Sequence, residues 1–117
     1  MLFLVVPDGT ERGFAMKEII GGKMFNTETA TCLGCYQYLY PGNDLYRREK
    51  LYRKKTGEYF LYCKGGRFSA YRTYISKNSW GAGEEIQPMT LAEAKGWAEE
   101  NLDAEGYAAE FGEPKNS

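Results

Sequence analysis

The stretch Leu51-Tyr52-Arg53-Lys54-Lys55-Thr56-Gly57-Glu58-Tyr59-Phe60-Leu61-Tyr62-Cys63-Lys64-Gly65-Gly66 decides the fold. Two aromatic and aliphatic runs flank Lys55-Thr56-Gly57. This predicts a β-hairpin in which Gly57 takes the left-handed position that closes a type I turn with a bulge. In the second run Tyr59, Leu61 and Cys63 alternate with Phe60, Tyr62 and Lys64, so both faces are largely apolar. Such a strand is central, covered by helix on one side and by another element or a partner on the other.

Downstream, Thr90-Leu91-Ala92-Glu93 is a capping box, because the Thr90 hydroxyl can accept from the Glu93 amide while the Glu93 carboxylate returns to the Thr90 amide. Leu91, Ala94, Trp97, Ala98 and Leu102 then form one apolar stripe, which predicts a helix from Leu91 to about Asn101 that buries Trp97. Asp103 caps a second short helix bearing Tyr107 and Phe111 and stopped by Gly112 and Pro114. A short strand is expected at Glu85-Ile86-Gln87, ended by Pro88. The stretch from Arg67 to Ser79 carries no clear pattern, and Asn78 to Gly83 reads as a loop.

Upstream, Glu18 to Phe25 reads as another hairpin turning at Gly21-Gly22. Thr27 is expected to cap a short helix over 27–34 that ends at Gly34, followed by a loop from Tyr36 to Asp44. The fold class is therefore α+β: a small antiparallel sheet with a central hairpin, one short N-terminal helix and a C-terminal helical segment packed on the sheet. Residues 16–113 are read as one domain, 1–15 as an N-terminal extension and 114–117 as a tail. Glu11-Arg12-Gly13 can be encoded by a purine-rich run resembling a ribosome-binding site, so translation is expected to start at Met16 as an alternative to Met1.

The chain has no histidine, which removes imidazole general bases, imidazole metal ligands and Ser/His or Cys/His dyads. No phosphate loop or dinucleotide fingerprint is present, and the expectation is a protein that is not an enzyme. No apolar run is long enough to cross a membrane and no signal-peptide pattern opens the chain, so the expected location is cytoplasmic.

Cys32-Leu33-Gly34-Cys35 is the one metal-like motif. Cys32 and Cys35 on a tight turn, joined by Cys63 from the central strand, are expected to hold a structural zinc with a fourth ligand from a carboxylate or water. Simple burial of small apolar thiols is the competing reading, and a thiol-redox enzyme is a third.

Charge is divided. Between Arg47 and Arg72 nine Lys/Arg face two Glu, while from Glu84 to Glu113 nine Asp/Glu face one Lys, so the molecule should be dipolar. Arg47, Arg48, Arg53, Lys54 and Lys55, interleaved with tyrosines, are candidates for nucleic-acid binding, with a solvated hairpin tip as the alternative. Glu84, Glu85, Glu93, Glu99 and Glu100 are candidates for contact with a basic groove on a protein.

The order Ile20-Gly-Gly-Lys-Met-Phe-Asn-Thr-Glu-Thr-Ala30, Leu51 to Tyr62, Gly65-Gly66, Asn78-Ser-Trp80, Gly83 to Thr90 and Ala94 to Ala104 resembles a group of small proteins from prophages and conjugative elements of Gram-positive bacteria. The match runs from about Met16 to Glu113. Mobile-element proteins of this type include anti-CRISPR inhibitors of Cas9. The resemblance implies a non-enzymatic inhibitor that acts in the host bacterial cell by binding Cas9 or the Cas9–guide RNA complex and blocking target-DNA loading or cleavage. The alternative is a nucleic-acid-binding accessory protein of a mobile element. A glycine commonly stands in that group where Cys63 stands here, so zinc would be a feature of this branch.

Overall fold

The computed structural model describes residues 16–76 and 79–113, and the expectations for residues 1–15, for Asn78 and for the tail 114–117 lie outside the described residues. The elements are β1 (Lys17–Ile20), β2 (Lys23–Asn26), β3 (Thr31–Tyr38), β4 (Arg47–Arg53), β5 (Tyr59–Gly65), β6 (Thr73–Ser76), β7 (Ser79–Gly81), β8 (Gly83–Met89), α1 (Leu91–Asn101) and α2 (Ala104–Phe111). The fold is α+β. Its centre is a four-stranded antiparallel sheet in the order β3-β4-β5-β8, accompanied by the hairpins β1-β2 and β6-β7.

The hairpin expected at 51–66 is β4-β5. Its turn closes with the Gly57 amide on the Lys54 carbonyl at 2.8 Å and the Lys54 amide on the Glu58 carbonyl at 2.7 Å. Gly57 sits at φ 96°, a conformation that costs glycine little because it has no Cβ.

Register sorts the side chains into two faces. Cys32·Tyr52·Phe60·Pro88, Cys35·Lys50·Tyr62·Ile86 and Gln37·Arg48·Lys64·Glu84 lie in rows on one face. Gly34·Leu51·Leu61·Gln87 and Tyr36·Glu49·Cys63·Glu85 lie on the other. The first face buries Tyr52, Phe60, Tyr62 and Ile86 under Phe25 of the β1-β2 hairpin, with Tyr52 and Phe60 stacked at 5.2 Å and Phe25 meeting Phe60 edge-on at 5.5 Å. The second buries Leu51, Leu61 and Cys63 under Ala94 and Trp97 of α1. β5 is thus covered on both faces, as its apolar pattern requires.

Both C-terminal helices form where the caps predict. The Thr90 hydroxyl accepts from the Glu93 amide at 3.1 Å, the Glu93 carboxylate accepts from the Thr90 amide at 2.9 Å, and Asp103 caps α2.

The helix expected over 27–34 does not form. Residues 27–30 are a turn and Thr31–Tyr38 is strand β3, which also absorbs the start of the expected loop. Thr27 serves as a tie to Met16 instead of as a cap, accepting the Met16 amide on its hydroxyl at 2.9 Å. Gly34 misled the reading because it is not a helix stop. It is the point where the helical layer presses on the strand, and a Cβ there would lie 2.3 Å from Leu102 Cδ2. The final strand is also longer than Glu85–Gln87. Pro88 stands within β8, which tolerates it as an edge strand.

Candidate interaction surfaces

Glu49 is the polar centre of the helix-covered face. Its side chain is mostly buried, and a buried carboxylate needs donors to offset its lost hydration. Trp97 Nε1 donates to Glu49 Oε1 at 2.8 Å, the Tyr71 hydroxyl donates to Oε2, and Arg47 Nε lies 3.9 Å from Oε2. These contacts tie α1 and the segment after β5 to β4. Burial, and then the hydrogen bond to Glu49, raises the Tyr71 phenol above its ordinary value. Cys63, opposite Glu49 in register, is pushed up to about 12, first by its burial. The raised thiol and phenol favour their protonated forms beside this hydrogen-bonded carboxylate, an arrangement that ties the core together.

The three cysteines do not converge. Cys32 and Cys35 are exposed on β3 and share the face of Tyr52 and Lys50, whereas Cys63 is buried on the opposite face, two strands away. The sheet itself stands between them. Cys63 thus belongs to the core, and no group of three His, Cys, Asp or Glu able to hold a metal ion occurs among the described residues. Partial burial of the sulfur raises the Cys32 thiol, opposed by its hydrogen bond to the Gly34 backbone and by the nearby Lys50.

Nor do the basic candidates make one surface. Arg47 and Arg53 point to the helix-covered side, Arg47 over the Tyr36 ring at 5.4 Å and Arg53 in an ion pair with Glu110 of α2. Arg48 lies on the opposite face. Lys54 pairs with Glu58 at 3.1 Å and covers the Phe25 ring at 4.0 Å, while Lys55 is exposed at the turn. Two of these five cations, Arg47 and Lys54, thus spread over rings.

The acidic candidates divide as well. Glu84 accepts from the Tyr62 hydroxyl at 3.5 Å on the face carrying Lys64, and Glu85 points to the opposite side, where Gln87 donates to it. Glu93, Glu99 and Glu100 are exposed on α1, and Asp103 and Glu105 at the start of α2 extend that group. From Leu91 to Glu113 seven carboxylates accompany the single Lys95, so the helical layer is strongly anionic.

A further group of exposed aromatics lies at one end of the sheet. Where β3 ends and β4 and β8 begin, Tyr38, Leu39, Tyr40, Leu45, Phe68, Tyr74 and Trp80 are exposed. Arg67 lies over the Phe68 ring at 5.1 Å and Arg72 over the Trp80 ring at 4.7 Å. Leu39 holds φ 65°, unusual for a residue with a Cβ, at the tip of this region. Tyr36, Tyr38, Leu45, Arg47 and Phe68 line a groove of about 390 Å³. The sequence scatters these residues over more than forty positions, and only the cluster of tyrosines at 36–40 hinted at them. Exposed aromatics beside arginines are the composition of binding hot spots.

Among the described residues no helix is long and apolar enough to cross a membrane. Comparison with protein-family models, with curated proteins and with solved structures gives no match.

Proposed function

We propose that this protein is a non-enzymatic inhibitor of the anti-CRISPR type, acting in the cytoplasm of a host bacterium by binding Cas9 or its guide-RNA complex. The resemblance along residues 16–113 motivates the partner. The observation that carries the reading is the helical layer, whose exposed Glu93, Glu99, Glu100, Asp103 and Glu105 form an anionic surface on rigid helices. Cas9 channels are basic because they grip nucleic-acid backbone. A fixed carboxylate array complements such a channel and gains attraction as the partners approach. Without catalytic groups, inhibition comes from occupying that surface, so it is stoichiometric with Cas9. Titration of purified protein into a Cas9 cleavage assay, paired with co-elution on a sizing column, tests this. Cleavage should fall to zero near one equivalent of inhibitor, with the target DNA left chemically intact. Absence of co-elution and of inhibition across several Cas9 orthologues would overturn it.

A second reading is favoured by the arginine and aromatic end of the sheet. Arg67 with Phe68 and Arg72 with Trp80 present cations and rings together, the combination that holds single-stranded nucleic acid. On this reading the protein is a nucleic-acid-binding accessory factor of a mobile element. A gel shift with bare DNA or RNA that weakens steeply with salt would favour it over the inhibitor.

A further inference from the structure

In a regular strand, residues three apart point to opposite faces. Cys32 and Cys35 do not, because the pairing of β3 with β4 slips by one residue between Cys32 and Gly34. Cys32 lies opposite Tyr52 and Cys35 opposite Lys50, two positions apart on β4 and therefore on the same face. The extra residue, Leu33, converts a divergent pair of thiols into a convergent one about 6.6 Å apart along the strand. Both are exposed. Among the described residues each donates to a carbonyl of its own strand, Cys32 to Gly34 at 3.7 Å and Cys35 to Tyr36 at 3.9 Å.

Two soft thiolates fill half of a tetrahedral site. The position of β3 in the sheet points to the other half. It is an edge strand, and among the described residues it pairs only with β4. Its outer backbone edge is a template for another strand.

We infer that Cys32 and Cys35 are half of a zinc site completed by the same two cysteines of a second copy, with the β3 strands of the two copies paired antiparallel edge to edge. A two-fold axis normal to the sheet keeps both CxxC pairs on one face. Centred between Leu33 and Gly34, it sets Cys32 opposite the second copy's Cys35 and the reverse, with strands about 4.8 Å apart. The four Cα atoms then stand near the corners of a rectangle of about 6.6 by 4.8 Å, whose corners are about 4 Å from its centre, within reach of cysteine side chains that lean inward to one ion above the sheet through Zn–S bonds of about 2.3 Å. The reaction is one Zn²⁺ with four thiols giving a tetrathiolate complex and four protons, so it needs no oxidant and tightens as pH rises. Lys50, opposite Cys35, and Arg48 on the same face are placed to offset the negative charge of that complex.

The experiment uses the full chain under reducing conditions, titrated with zinc and followed by native mass spectrometry and light scattering. The expected result is one zinc per two chains, a dimer that returns to monomer on chelation, and loss of both zinc and dimer in Cys32→Ser and Cys35→Ser. Cys63→Ala should keep the zinc-dependent dimer. One zinc per monomer, no zinc uptake at all, or a dimer indifferent to Cys32 and Cys35 would each overturn the assignment.

Discussion

The Trp97 indole N–H lies 2.8 Å from the Glu49 carboxylate and joins α1 to β4 across the interior of the molecule. The contact is at once packing and polar satisfaction, because Trp97 fills the core beside Leu51 and Leu61 while its one donor is aimed at a carboxylate that burial has stripped of water. The two contributions can be separated. Trp97→Ala removes both and should cost about 3–5 kcal/mol. Trp97→Phe keeps most of the ring and withdraws the donor, for a loss of about 1–3 kcal/mol. Urea unfolding of the two variants beside the parent gives the comparison, and a Trp97→Phe variant as stable as the parent would mean the hydrogen bond contributes nothing.

Gly34 is the contact point between β3 and the end of α1. A methyl group there meets Leu102 Cδ2 at 2.3 Å and the Trp97 ring at 3.6 Å, so Gly34→Ala overpacks the helix–sheet seam and should cost about 1–3 kcal/mol. Leu102→Ala makes room for that methyl group. The double variant should therefore be more stable than the sum of the single losses implies, and strict additivity in a double-mutant cycle would refute the steric account.

These two residues also mark how far the sequence could be read. Trp97 was legible because helix periodicity and a capping box are local patterns that act within a few residues. The β4-β5 hairpin was legible for the same reason, through its turn chemistry at Gly57. Gly34 was not, since the same residue type serves as a helix stop or as a site of close packing, and only Leu102, far along the chain, decides between them. Cys63 was drawn into a site with Cys32 and Cys35 because spacing is visible in a sequence and sheet face is not. A tyrosine-rich composition points to exposed rings at sheet margins, but which of them gather at this end was not legible, because turns bring them from separated segments. Glu93, Glu99 and Glu100 are close enough in sequence to be read as one helical group, whereas Glu84 and Glu85, grouped with them by charge alone, alternate across β8 and point to opposite faces.

Acid should loosen the attachment of the β1-β2 hairpin. Lys23 at 2.6 Å and Lys54 at 3.1 Å hydrogen-bond to Glu58 and lower its carboxyl to about 2 from an ordinary 4.5. A depressed carboxylate contributes stability that is complete above its unfolded value and disappears as the pH falls through the folded one. The melting temperature of Glu58→Gln should thus lie slightly below that of the parent at pH 7, with the gap closing between pH 4.5 and 2. The pair is exposed and screened by salt, so the gap should also shrink at high ionic strength. A gap independent of pH would show that the carboxylate charge is not what holds the hairpin.

The two candidate surfaces lie on different elements and can be separated by substitution. Glu99 and Glu100 lie on the exposed side of α1, away from buried Ala94 and Ala98, so Glu99→Lys with Glu100→Lys should leave folding intact and reverse the local field. If the helical layer meets a basic partner, this variant should lose most of its inhibition of Cas9, chiefly through slower association that is itself salt-dependent. Phe68→Ala with Trp80→Ala strips the rings beneath Arg67 and Arg72. On the inhibitor reading that pair acts as an anchor, and its loss should speed dissociation with little change in the association rate. On the nucleic-acid reading the outcome reverses. The aromatic variant should then lose binding to bare single strands, while the charge-reversed variant, with its repulsion removed, binds them more tightly. Binding kinetics with purified Cas9, beside a gel shift with a single-stranded oligonucleotide, read both outcomes from the same two proteins, and a helical variant that inhibits Cas9 as well as the parent would exclude the acidic layer as the contact.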